Sequence, residues 1–200
     1  MIFTKTERKI RELNDHFKRL LSSRNVDDFE TNFADFLGSG RSVTHALQAD
    51  GGISFDKNGN LKKRGEVKGF AEWYLKKQAE MRGDELCKYF KDTRDIDFHT
   101  GNTAIRSNYH MSATLSTPPN AQIGIGKRGT YLIYNAGTPE EYSELMALPG
   151  KEKFEIGLDD SPKNHRGIAI GDRSPTNLCE LFKKYLDALL KEAKQHFLSL

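Results

Sequence analysis

Through the first hundred residues of this chain, apolar side chains recur at helical spacing; through the next seventy they alternate with polar ones. Ile10, Leu13, Phe17, Leu20 and Leu21 predict a first helix over residues 5–22. After the turn Ser22-Ser-Arg-Asn-Val, Asp27 followed by Glu30 resembles a capping box. It opens a second helix with Phe29, Phe33, Phe36, Leu37, Val43 and Leu47 on one face. Gly38 and Gly40 weaken that helix by about 1 kcal/mol each, which close approach of a neighbouring helix would offset. Residues 50–62 read as a small hairpin turning at Asp56–Gly59. A third helix is expected over 66–81 with Val67, Phe70, Tyr74 and Met81 inward, closed by Gly83. Asp84 then caps a fourth helix through Leu86, Phe90 and Arg94, which Gly101 ends as a C′ glycine.

The period changes after that. Tyr109, Met111, Ala113 and Leu115 alternate, as do Ile123 with Ile125, Phe154 with Ile156 and Leu158, and Ile168 with Ile170. With the run Tyr131–Tyr134 they predict about five short strands. Ser174-Pro175 starts a last helix through Leu178, Leu181, Phe182, Tyr185, Leu189 and Phe197. The expected fold class is α+β, mainly α. A helical bundle covers 1–103, an antiparallel strand block covers 104–172 as an insertion or appendage, and 173–200 completes the bundle.

Composition narrows the function classes. The chain has 200 residues, 30% charged and 36% hydrophobic, and a net charge of +3 with no block of like charge. That length suffices for a real core, and the weak basic bias argues against coating nucleic acid by electrostatics alone while leaving room for a small RNA site. Cys87 and Cys179 have no metal-ligand spacing and read as small buried hydrophobes in a reducing compartment. The N-terminus enters a charged amphipathic pattern, and no apolar run approaches membrane-spanning length. No membrane partner and a cytoplasmic location are expected.

The chemistry concentrates in Tyr89-Phe-Lys-Asp-Thr-Arg94-Asp95-Ile-Asp-Phe-His99-Thr-Gly101. Arg94 cannot lose its charge and His99 titrates near neutrality, a phosphate clamp beside a proton-transfer group. Five residues on an ideal helix subtend about 140°, so the two do not share a face as an i, i+4 pair does. Either the helix end unwinds around His99 or a second copy completes the site. A helix C-terminus also favours protonated imidazole.

This stretch, closing a helix in a helical bundle, resembles the R-(polar)-x-x-x-H signature of HEPN (higher eukaryote and prokaryote nucleotide-binding) domains. Phe33-Ala-Asp-Phe-Leu37 with Arg41-Ser42, and Trp73-Tyr74 before the motif, are similar to bacterial members. The resemblance spans about residues 5–101, with the last helix completing the bundle. It implies metal-independent RNA cleavage without a cofactor, in a homodimer of toxin or defence type whose partners are RNA and an antitoxin or other protein. It further implies that Arg94 holds the scissile phosphate and His99 moves a proton. Asp95 departs from the asparagine more common at the polar position, and as a carboxylate near phosphate it is expected to orient Arg94 or His99. Arg41, near an apolar face, needs a partner, for which Asp95 and Asp97 are candidates. The alternative is a non-catalytic nucleotide-binding or protein-interaction module. In an ordinary helix end, Arg94 would pair with Asp92 or Asp97, and His99 with the last carbonyls.

Other signals carry less. Gly124-Ile-Gly-Lys-Arg-Gly129 matches a dinucleotide fingerprint, but a strand follows where a helix is needed, so it reads as a hairpin turn. Asp56, Asn58 and Asn60 imitate a calcium loop whose glycine is replaced by Leu61 and whose closing carboxylate is Val67. His45, His110 and His165 are scattered and expected in surface or capping roles. Trp73 is expected in the core or a groove wall.

Overall fold

The computed structural model describes residues 3–100, 105–110, 121–126, 129–145 and 153–198. Five helices carry the fold: α1 (Thr4–Leu21), α2 (Val26–Asp50), α3 (Phe70–Gly83), α4 (Glu85–Thr100) and α5 (Pro175–Leu198). Short antiparallel strands accompany them, so the class is α+β and mainly α. The chain divides into two compact units, Met1–Ser107 with Ile156–Leu200, and Asn108–Glu155.

The first unit is built on amphipathic helices. α1 buries Thr6, Ile10, Leu13, Phe17 and Leu20 at three- and four-residue spacing, chiefly against α2, with α5 on another side. Buried Thr6 donates from both its amide and its hydroxyl to Asp50 Oδ2, each at 2.8 Å, tying the start of α1 to the end of α2. Lys194 of α5 pairs with Glu7 of α1, and Lys77 of α3 lies 2.7 Å from Glu192 of α5. The core between the helices is aromatic. Phe90 of α4 stacks on Phe182 of α5 with centroids 4.5 Å apart and meets Phe36 of α2 edge-on at 6.1 Å. Cys87 and Cys179 are both buried and unbridged. Burial drives both thiols well above their ordinary range.

Several expectations are corrected. Helix α2 starts one residue before Asp27, and its cap is Asn25, whose side chain accepts from Asp28 N at 2.7 Å. Asp27 and Asp28 instead occupy the first turn, where the helix dipole favours acids. Helix α3 starts at Phe70, not at 66, because Gly65 and Gly69 take left-handed φ of 73° and 80°. Glu66 is drawn into a different role and accepts from the Ala71 amide at 2.8 Å. The two helix glycines also differ. A Cβ on Gly40 would meet Phe182 Cε1 at 2.7 Å, so Gly40 permits close approach of α5, whereas Gly38 faces open space.

The expected hairpin is β1 (Ile53–Phe55) paired antiparallel with β2 (Leu61–Lys63). Asp56 closes it by accepting from the Asn58 and Asn60 amides at 2.9 Å each, which is turn chemistry. After α4 come β3 (Ile105–His110), β4 (Ala121–Gly126), β5 (Gly129–Tyr134), β6 (Tyr142–Leu145), β7 (Lys153–Leu158), β8 (Asn164–His165) and β9 (Ile168–Ala169). β6 and β8 exceed the five expected, since two to four residues are too few to show alternation. β3 pairs with β7, and the boundary between the units falls inside each of them. In the second unit β4, β5 and β6 form an antiparallel meander with Gly126 opposite Gly129. That register makes the glycine fingerprint a hairpin. Gly101 and the alternating Met111, Ala113 and Leu115 lie outside the described residues.

Candidate functional site

Helix α4 decides where the motif residues stand. Its N-terminus is capped by Asp84, whose Oδ1 accepts from the Cys87 amide at 2.9 Å. The helix then continues without a break to Thr100, so it does not unwind around His99. On a continuous α-helix, positions 94 and 99 lie about 140° apart in projection. The side chain of His99, like that of Asp97, lies outside the described residues.

Arg94 sits one turn beyond Phe90 on the same face, at the end of the seam where α4 packs on α2. Its side chain is 21% exposed and forms an ion pair with Asp95. Asp95 also lies 3.3 Å from Lys91 Nζ, so its carboxylate is shared between two cations. Lys91 additionally holds Asp92 at 3.1 Å. The Arg94 Nε is buried and finds no hydrogen-bond partner among the described residues.

A second pair of polar groups stands on the exposed side of α2. Arg41 Nε donates to His45 Nε2 at 3.0 Å. Among the described residues, the partner of Arg41 is thus one turn along its own helix and not Asp95. An imidazole that accepts at Nε2 is neutral, with its proton on Nδ1. Partial burial first, and then the nearby charges of Arg41 and Arg94, hold His45 below its ordinary value, against a hydrogen bond with Gln48 that raises it. Gln48 continues the relay by donating to Tyr74 Oη on α3 at 2.8 Å. Arg94 is itself pulled below its ordinary value by burial and then by the charge of Arg41.

His45 is the residue that sequence reasoning missed. Its signal was present: it stands four residues after Arg41, on the same face of a helix.

The two other histidines differ in role. His165 Nδ1 lies 3.1 Å from both carboxylate oxygens of Asp84, and its ring meets Tyr185 edge-on at 5.7 Å. It belongs to a clamp in which Asp84 also accepts from the Arg166 amide at 2.6 Å. Glu85 in that clamp accepts from the amides of Lys163 and Asn164 at 3.0 and 3.1 Å. His110 closes β3, with its side chain outside the described residues. Trp73 packs partly buried against Phe70 and Phe197 at 5.5 and 5.6 Å.

Among the described residues, no helix is long and apolar enough to cross a membrane. No known family model, curated protein or solved structure matches this chain.

Proposed function

We propose that this protein is a metal-independent endoribonuclease of the HEPN-like toxin or defence type, acting in the cytoplasm as a homodimer. The observation that supports the reading is Arg94 itself, a partly exposed guanidinium one turn beyond Phe90 on α4 whose Nε has no hydrogen-bond partner among the described residues, a group suited to a phosphodiester. In this reaction the 2′-oxygen attacks the adjacent phosphorus and gives up its proton to a base. The P–O5′ bond breaks as the 5′-oxygen takes a proton, leaving a cyclic 2′,3′-phosphate and a 5′-hydroxyl. Arg94 holds the phosphate and stabilises its growing charge, and His99 moves a proton. Because α4 is continuous through both residues, His99 reaches the phosphate held by Arg94 of a second copy, and this is the argument for a dimer. Asp95, shared by Lys91 and Arg94, is partly neutralised and orients Arg94.

The test is incubation of labelled RNA with the protein and EDTA, beside Arg94→Ala and His99→Ala. The expected result is cleavage that survives EDTA, leaves 5′-hydroxyl ends and disappears in both variants. Absence of cleavage by folded protein over a broad RNA panel would sink the nuclease. The second reading, a non-catalytic nucleotide-binding or protein-interaction module, draws on the Arg94–Asp95 ion pair, which gives Arg94 a partner without any substrate.

A further inference from the structure

The β1–β2 hairpin and the loop after it concentrate a charge that the chain as a whole does not show. Residues 57–68 hold five cations, Lys57, Lys62, Lys63, Arg64 and Lys68, and all five are exposed. Asp56 and Glu66 stand among them in sequence, but the fold commits both acids to backbone amides. Asp56 Oδ1 accepts from the Asn58 and Asn60 amides, and its Oδ2 lies 3.3 Å from Asn60 Nδ2 and 3.9 Å from Lys62 Nζ. Glu66 accepts from the Ala71 amide and pairs with Lys63 at 2.7 Å. Lys57, Arg64 and Lys68 form no ion pair among the described residues. We propose that this hairpin is a docking surface for the phosphate backbone of a base-paired RNA stem. It lies outside the α4 motif and rests on the ribonuclease reading for its choice of RNA.

Strand register sets the face. Ser54 stands opposite Lys62, and Ile53 opposite Lys63. The Arg64 amide donates to Gly52 O at 2.7 Å, so pairing runs one residue past β2. Alternation then puts Lys62 and Arg64 on one face, about 6.7 Å apart along the strand. The opposite face is the anchor. Ile53 is buried, Phe55 packs on Tyr74 at 6.4 Å, and Leu61 lies partly buried against the core. At the base of the ribbon a Cβ on Gly52 would meet Gly65 O at 2.3 Å, so the two backbones close on each other there. The cations therefore stand on a ribbon fixed to the bundle.

The surroundings of these cations select the occupant. Proteins that hold single strands stack the bases on exposed aromatic rings. None of the large apolar side chains exposed among the described residues is aromatic; Phe55 is half-buried, and Trp73 packs on Phe70 and Phe197. A protein partner would need an apolar or aromatic anchor at the centre of the contact, whereas the outer face carries Ser54, Lys62 and Arg64. A base-paired stem needs neither, because its bases stack on one another and it presents phosphates.

The experiment measures binding apart from cleavage, by fluorescence anisotropy on the full chain over a range of salt. The probes are a labelled 2′-O-methyl RNA duplex of about 16 base pairs, one of its strands alone, and a poly-glutamate peptide. Lys62→Gln with Arg64→Gln is expected to weaken duplex binding about tenfold and to reduce the slope of log Kobs against log salt by about 2, one for each lost contact. Lys62→Arg with Arg64→Lys should bind like wild type, since tracking phosphates needs charge and not one particular cation. Lys18→Gln with Arg24→Gln removes the same charge from the other end of the α1–α2 pair and should also bind like wild type. Circular dichroism checks that each variant is folded. An equal loss in that control pair, binding of the single strand or poly-glutamate as tight as that of the duplex, or no duplex binding by folded wild type overturns the inference. Duplex binding that depends on Lys62 and Arg64, without cleavage of ordinary RNA, keeps the docking surface and overturns the nuclease. Cleavage without such binding does the reverse.

Discussion

The two ends of α4 are both polar, and they are built on opposite principles. At the N-terminal end every acid has a donor. Burial alone would raise the Asp84 carboxyl, but the amides of Cys87 and Arg166 and the His165 ring together hold it below the usual carboxylate range. Glu85 is likewise lowered by Asn164 and the Lys163 amide. These acids also lie where the helix dipole favours them. Toward the other end, burial and then the charge of Arg41 lower Arg94, and burial and then both cations lower His45. The first cluster is made wholly of opposite charges and donors; the second sets like charges against one another beside its own ion pairs. Satisfied polar groups read as architecture, whereas like charges brought together read as a site waiting for a ligand.

Substitutions break this comparison most directly. Asp84→Ala removes a helix cap and leaves the Arg166 amide and His165 without their acceptor, and is expected to destabilise by roughly 2–4 kcal/mol. Urea unfolding measures it. Arg41→Ala removes a repulsion and should stay within about 0.5 kcal/mol of wild type, or gain. A loss of several kcal/mol at Arg41 with little at Asp84 would invert the comparison.

The packing of α2 gives a finer cut. Gly38→Ala gains helix propensity in open space and should stabilise by about 0.5–1 kcal/mol. Gly40→Ala carries the same gain but drives its Cβ against Phe182, so the ring stacked on Phe90 must shift. Thermal unfolding of the two should move in opposite directions, and equal stabilisation would mean that the seam is looser than described.

The smallest expected effects are in pH. Asp84 has a folded value below its unfolded one, so its contribution is present above the ordinary carboxylate range and is lost as pH falls through it. His45, also lowered, resists taking up a proton in the fold. Stability should therefore decline as pH falls through the ordinary imidazole range, where the unfolded chain binds the proton first. Unfolding midpoints from pH 7.5 to 5 should be flatter in His45→Gln than in wild type, and a parallel slope would remove His45 from the charged cluster.

Local rules made much of this molecule legible. The amphipathic faces of α1 and α5, the β1–β2 turn at Asp56, the Asp84 cap and the hairpin at Gly126–Gly129 each follow from residues adjacent in sequence or a helical turn apart. Starts of helices were harder to read. Asp27 and Glu66 look like openers, but Asn25 and the left-handed Gly69 decide where α2 and α3 begin. The candidate site was half legible. Arg94 and Arg41 stand out as cations near apolar faces, and the spacing of Arg41 and His45 was available to be read as a pair.

By itself the sequence determined a mainly helical chain, the faces its helices bury, and a helix carrying Arg94, Asp95 and His99. Only the tertiary structure decided that α4 continues through His99, that Asp95 is shared with Lys91, and that Gln48 of α2 reaches Tyr74 of α3. The reason is physical. Periodicity and capping act over one or two turns, whereas the placing of one helix against another depends on how Phe33, Phe36, Phe90 and Phe182 pack and on the space that Gly40 leaves.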